Sequence, residues 1–198
     1  MTNIELKTKL FNQIAAIGSE QAIFPAADTA IDRTIQELEK VSPITQPLSA
    51  SHQETLCGDW ELVYASNGTV VTRPVAEVTA ILGSVIKLQK IWQSLYFAGE
   101  TLTASNQALI DLLVLGEYQV GAKGSWEIES DLKSARVSFT TFTTQAVKVL
   151  HQSLTLPAIE VPVIEIMQST ALWITSYLDA DTRIGRGATG NLFVFRRF

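Results

Sequence analysis

Apolar residues three and four positions apart open the chain. Leu6, Leu10, Ile14 and Ile17, with Phe11 beside them, fall on one face when residues 4–17 are wound as a helix, and Gly18 supplies a stop. A second stripe, Ile31, Ile35, Leu38 and Val41, starts after Phe24 and Pro25, with Asp28 placed to cap it, and ends before Pro43. Residues 1–42 are therefore expected to form a pair of α-helices. Their stripes need a cover, and a sheet is the simplest one, with a partner surface as the other. Residues 43–55, with Pro43, Pro47 and several Ser and Thr, read as a linker into the main domain.

Beyond the linker the period shortens to two. Trp60, Leu62 and Tyr64 share one face of a strand and Glu61 takes the other. Residues 109–119, 124–129 and 135–143 read as successive antiparallel strands with turns at 121–124 and 131–133. In the second, Trp126 and Ile128 oppose Ser125, Glu127 and Glu129; in the third, Val137 and Phe139 oppose Ser138 and Thr140. Between them, residues 75–96 space their apolar positions like a helix, and the expectation there is a short helix near 74–82. Pro157 and Pro162 exclude residues 154–163 from a central strand. That apolar segment reads as packing across one end, with a lid over the mouth as the other reading. Residues 177–198 make a closing hairpin, a strand, a glycine cluster and a second strand in which Leu192 and Val194 oppose Asn191, Phe193 and Phe195.

Composition removes several classes of function. A net charge of -5 and a pI near 5.1 argue against nucleic acid, which needs a concentrated basic surface. With one cysteine, Cys57, and two histidines, His52 and His151, both expected in loops, neither a disulfide nor a metal site is expected. No apolar run reaches the ~18 residues of a membrane span, and the opening residues lack a signal core or a transit segment. The expectation is a protein that would meet any lipid from water. Gly185, Gly187 and Gly190 have the spacing of a dinucleotide loop, but the residues after them are β-branched or aromatic where that loop needs a helix. Asn67-Gly68-Thr69 reads as a hairpin turn rather than a glycosylation site. No nucleophile with a base, carboxylate pair or metal-ligand spacing stands out, so the chain reads as non-enzymatic.

Two motifs at opposite ends of the domain carry a resemblance. The first is Leu56-x-Gly58-x-Trp60-x-Leu62-x-Tyr64-x-Ser66; the second is Tyr177-Leu178-Asp179-x-Asp181-x-Arg183-Ile184-x-Arg186-Gly187-x-x-Gly190-Asn191-Leu192-Phe193-Val194. Both resemble the plastid lipid-associated protein family, also called fibrillins, over residues 56–198. The resemblance implies a mainly β fold, an antiparallel lipocalin-like β-barrel preceded by the N-terminal pair of α-helices; within residues 75–96 it implies a strand after Gly83. It also implies association with thylakoids or plastid lipid droplets, links to carotenoids, prenylquinones and other membrane lipids, and protection from light stress. The chain looks like a cyanobacterial member, in the cytoplasm and on the peripheral thylakoid membrane, or like a mature plastid form. The family has no catalytic residues to carry over. Its motif positions Gly58, Trp60, Tyr177, Asp179, Arg183, Arg186 and Gly187 read as barrel closure. The Gly-x-Trp opening is shared with lipocalins, in which a tryptophan closes one end of the barrel. Arg183 or Arg186 is expected to cap Trp60 by a cation–π contact, with Asp179 or Asp181 on the guanidinium edge.

Trp60, Tyr64, Trp126, Phe139 and Trp173 are the candidate lining of such a barrel, and each equally suits an ordinary core. The expected function is non-enzymatic binding or transport of an apolar isoprenoid or fatty lipid at the thylakoid surface, with no cofactor beyond a bound carotenoid, quinone or lipid. The alternative is an assembly or scaffold factor docking on a photosynthetic membrane complex through the helices, residues 154–163 and the tail 193–198. A tetrapyrrole-handling barrel comes third, for want of a placed cysteine or histidine.

Overall fold

The computed structural model describes residues 1–24, 28–69, 72, 86–113, 115–150, 152–153, 156–162 and 170–198. The first apolar stripe forms α1 (Asn3–Ile17), and the second forms α3 (Thr29–Lys40), with a one-turn α2 (Ser19–Ile23) between them. Helix α1 starts at a capping box: Thr2 Oγ1 accepts from the Glu5 N–H while the Glu5 carboxylate accepts from the Thr2 N–H. Asp28 caps α3 by accepting from the Ala30 and Ile31 N–H groups. Residues 43–55 are not a free tether. They hold a 3-10 turn (Ala50–His52) and the start of α4 (Gln53–Leu56), bury Leu48, and donate the Leu48 N–H to Leu132 O. His52 lies in that 3-10 turn, and His151 lies outside the described residues.

The strands are β1 (Gly58–Ala65), β2 (Ile86–Ala98), β3 (Thr101–Leu112), β4 (Gly116–Ile128), β5 (Ser134–Ala146), a two-residue ladder of β6 (Lys148–Val149) and β7 (Gln152–Ser153), β8 (Ile159–Pro162), β9 (Ala171–Leu178), β10 (Thr182–Gly187) and β11 (Leu192–Arg197). Neighbours run β4-β3-β2-β1-β11-β10-β9-β5, all antiparallel, and β4 pairs with β5 to close an eight-stranded barrel. The expected mainly β barrel behind a helical N-terminus is the fold.

Several boundaries differ from the sequence reading. Residues 109–119 are not one strand: the chain reverses between β3 and β4, where Leu113 and Leu115 stay exposed and Gly116 takes φ +111°. Exposed leucines in a turn imitate a strand. The turn expected at 121–124 is instead the middle of β4, where Gly124 faces a bulge; a Cβ there would sit 2.3 Å from Ser138 O. Within 154–163, the described residues of β8 pair along Thr141–Thr144 of β5 as an edge strand, which replaces the expected packing across one end. Pro162 is its last residue, where a missing N–H costs no ladder bond. The closing hairpin is β10–β11, and Tyr177 belongs to the preceding strand β9. Asn67-Gly68 makes a turn, with the Gly68 N–H donating to Ala65 O, and the next strand among the described residues is β2. The helix expected at 74–82 lies outside the described residues, and the strand after Gly83 is β2, described from Ile86.

Two apolar cores result. Inside the barrel lie Trp60, Leu62, Leu95, Leu102, Trp126 and Val137 with their neighbours. Outside it, Leu6, Leu10, Ile31, Ile35 and Leu38 of the helices pack on Tyr64, Tyr177, Ile184, Leu192 and Val194. The helical stripes are thus covered by the outer face of β1, β9, β10 and β11.

Candidate functional site

One end of the barrel is sealed by Trp60, fully buried, whose Nε1–H donates 2.8 Å to Leu56 O. Strand alternation sends Arg183 inward and Arg186 outward. The Arg183 guanidinium lies 5.3 Å from the Trp60 ring, 4.3 Å from Phe195 and 6.0 Å from Trp173, and Arg197 lies 4.3 Å from Trp60. Arg183 is therefore one expected cap, and Arg197 is a second that the sequence reading missed. Arg186 is not one: it forms a two-pronged bond to Glu39 of α3, at 2.7 and 2.6 Å. Nor do Asp179 and Asp181 reach Arg183. They sit in the β9–β10 turn and bind Lys7 of α1, Asp179 at 2.9 Å.

Arg183 consequently has no carboxylate partner among the described residues. Its Nη2 donates to Gln93 Oε1, while Nε and Nη1 have no partner among the described residues. Burial, and then the charge of Arg197, bring its pKa down to about 9. Gly58 makes room for Arg197: with φ +124°, its missing Cβ would stand 2.5 Å from Arg197 Nη1, which donates to Cys57 O. Gly187 ends β10 and donates its N–H to Asn191 O.

The aromatic candidates divide between the two cores. Trp126 and Trp173 meet inside at 5.7 Å, Trp173 reaches Phe193 at 5.4 Å, and Phe139 packs half-buried against the same cluster. Tyr64 is not in the interior. A bulge between Leu62 and Tyr64 in the β1–β11 pairing reverses the alternation and turns Tyr64 to the helices. There its hydroxyl donates to Asp32 at 3.3 Å and accepts from the Asp28 N–H, and burial pushes its pKa up to about 12. Tyr177 also faces the helices and donates 2.5 Å to Asp179.

Above the sealed end the interior thins. Gln93 sits opposite Trp60, and its Nε2 donates 2.6 Å to Asn106 Oδ1. The inner-face neighbours of Asn106 are Ala104, Ala108 and Ala122. Strands β2 to β5 are 12 or 13 residues long, against 6 or 8 for β1, β9, β10 and β11, so they run past the ring. With β8 they form an apolar trough, half-buried at Ile91, Ile110 and Val120 and exposed at Phe142 (50%), Ile159 (63%) and Val161 (55%). Around the same end Leu113, Leu115, Leu150 and Leu156 are exposed. A cleft of about 670 Å³ opens between α1, α2 and the diverging β1 and β2, lined by Leu62, Leu88 and Ile91 and rimmed by Lys87, Lys90 and Arg196. Among the described residues, no three His, Cys, Asp or Glu side chains group as metal ligands.

Gln93 and Asn106 escaped the sequence reading, although each interrupts an apolar alternation, Ile91-x-Gln93-x-Leu95 and Ala104-x-Asn106-x-Ala108. A polar residue on the apolar parity was the available signal.

The Lys7 cluster ties the helices to the barrel and makes that tie acid-sensitive. Burial works to raise the Asp181 carboxyl, but its bonds to Lys7 and Thr182 prevail and hold it at about 2, below the usual 3.8. A depressed carboxylate stabilises the fold above about pH 4, and that contribution disappears as pH falls through about 2. Thermal melts between pH 5 and 2 are expected to fall more steeply for the wild type than for Lys7→Met. Parallel curves would contradict this role.

Comparison with known proteins yields one match: the family model described as PAP_fibrillin covers residues 4–196. No curated protein and no solved structure matches the chain.

Proposed function

This chain belongs to the PAP_fibrillin family, and on that premise we propose that it binds an apolar isoprenoid or fatty lipid in the barrel and trough without catalysis. The observation that carries this reading is the inner face of the trough. Phe142, Ile159 and Val161 stand together on it, at least half exposed, and lead inward to Val120, Ile110 and Ile91. Exposed apolar surface costs roughly 25 cal/mol per Å² relative to a covered state, and a contiguous patch marks a contact surface. A concave, apolar, one-ended lining suits a chain-like or polyene ligand.

The exposed leucines around the same end favour exchange with a lipid surface. Among the described residues no helix is long and apolar enough to cross a membrane. A peripheral site on the thylakoid, in a plastid or a cyanobacterium, is the location we propose. The same rim leaves room for the second reading, docking on a photosynthetic membrane complex.

Native mass spectrometry with absorbance, after incubation with a thylakoid lipid extract, tests the proposal. A reproducible added mass in the lipid, quinone or carotenoid range is expected, and Phe142→Glu is expected to weaken binding about tenfold or more by placing a charge on the apolar path. A bare polypeptide mass in that extract overturns the carrier reading. Membrane-complex capture that survives in this bare protein supports the docking reading in its place.

A further inference from the structure

The interior of this barrel carries a polar chain with a direction. A guanidinium only donates hydrogen bonds, so Gln93 must turn its Oε1 to Arg183 and its Nε2 away. Asn106 must then present Oδ1 to Gln93, which it does at 2.6 Å, leaving its Nδ2 hydrogens facing the lumen. No described residue accepts from that Nδ2. Arg183, Gln93 and Asn106 thus form a relay that starts at a buried cation and ends in a donor.

A second, independent observation points the same way. Arg183 is completely buried, yet among the described residues its Nε and Nη1 have no partner and no carboxylate balances its charge. Arg186, three residues on, has its carboxylate in Glu39, so the strand readily supports an ordinary ion pair. The uncompensated positive charge polarises the amide chain and strengthens the last donor. Asn106 and Ala122, which stands opposite it, keep part of their surface accessible, whereas Ala104 and Ala108 are covered. The inner-face neighbours of Asn106 are Ala104, Ala108 and Ala122, each no larger than a methyl group, while bulky Trp126 and Leu102 fill the level below.

We propose that the bound lipid carries an oxygen head that accepts hydrogen bonds, a carboxylate or a carbonyl, and that Asn106 Nδ2 receives it, with the tail lying along the trough. This rests on the lipid-binding reading above and sharpens it: hydrocarbons are held by the tail alone, and acceptor-headed lipids are held at both ends. The positive charge behind the relay favours a carboxylate, and a neutral quinone or keto carbonyl satisfies the same donor with less charge complementarity.

Displacement of the neutral fluorophore N-phenyl-1-naphthylamine by laurate, methyl laurate and dodecane tests this. The tail is nearly constant across the three probes and only the head changes. Laurate is expected to displace at roughly tenfold lower concentration than dodecane. Asn106→Leu is expected to bring the two within about threefold while leaving dodecane at least as effective, and that dodecane value also certifies the fold. Asn106→Ala, which matches its alanine neighbours, provides the same comparison without added bulk. Laurate ahead of methyl laurate identifies a charged head; equality of the two identifies the carbonyl. Equal displacement by laurate and dodecane in the wild type, or a preference that survives in both variants, overturns the head-group assignment while the lipid reading stands. Failure of the fluorophore itself to bind overturns both.

Discussion

Trp60→Ala is expected to lose about 3–5 kcal/mol of folding free energy, the range for emptying a buried tryptophan site. Domains of this size are stable by only about 5–15 kcal/mol, so a substantial part of the margin goes. Three effects act together. The ring is fully buried, and its removal leaves a cavity at the sealed end of the barrel. Its Nε1–H satisfies Leu56 O, which would be left buried without that donor. Most specific to this fold, Arg183 and Arg197 lie 5.3 and 4.3 Å from the ring and, among the described residues, have no carboxylate in its place. A desolvated cation–π contact is worth about 2 kcal/mol. Urea unfolding measures the sum. Trp60→Phe keeps an aromatic face for the two cations and is expected to recover about half, whereas a Trp60→Ala loss under about 1 kcal/mol would show that the arginines do not depend on the ring.

Gly185→Ala is the second large effect, expected to cost about 1–3 kcal/mol for a single methyl group. The methyl would stand 1.9 Å from Trp173 Cζ2 and 2.5 Å from two further ring atoms. An exposed side chain would swing away at little cost, but Trp173 is boxed by Trp126 at 5.7 Å, Phe193 at 5.4 Å and Phe195 at 6.1 Å, with Arg183 behind. Near-UV circular dichroism reports the displaced aromatic cluster directly. The double variant Gly185→Ala, Trp173→Leu is the decisive comparison. If contact with that ring is the cause, the glycine change costs little once the tryptophan is gone, and the two effects are strongly non-additive. Additive losses would place the cost of the methyl in the backbone instead.

Both substitutions concern residues whose importance was partly visible in the chain. Trp60 stands in an alternating apolar run after Gly58, and a buried aromatic at that position is what the pattern asks for. Gly185 was visible only as part of a turn-like cluster, yet it lies in a strand, and its reason is the Trp173 ring across it. The two helical stripes were legible because period 3.6 and the cap at Asp28 are local properties, while the capping box at Thr2 was not read from the chain. So was the alternation of Leu192 and Val194 against Phe193 and Phe195, which the structure divides between the helix layer and the barrel interior.

The misreadings have a common origin. Tyr64 follows Leu62 in perfect alternation, and only a bulge against β11 sends it outward. Leu113 and Leu115 are apolar and remain at an exposed turn, while the glycines of β4 look like a turn and lie in a strand. Arg183 looked like a partner for Asp179 or Asp181, but those carboxylates are taken by Lys7, 172 residues away from Asp179 in sequence.

The sequence by itself therefore determined which faces are apolar, where the helices begin, and that the chain ends in a hairpin, because periodicity, capping and strand alternation act over a few residues; the β-barrel was implied by the resemblance that the two end motifs carry. Tertiary structure alone decided which cation meets which partner, where alternation breaks, and that Gln93 and Asn106 join Arg183 in one directed chain. Those choices depend on registers between strands distant in sequence, and a shift of a single residue in a register exchanges the inside of the barrel for its outside.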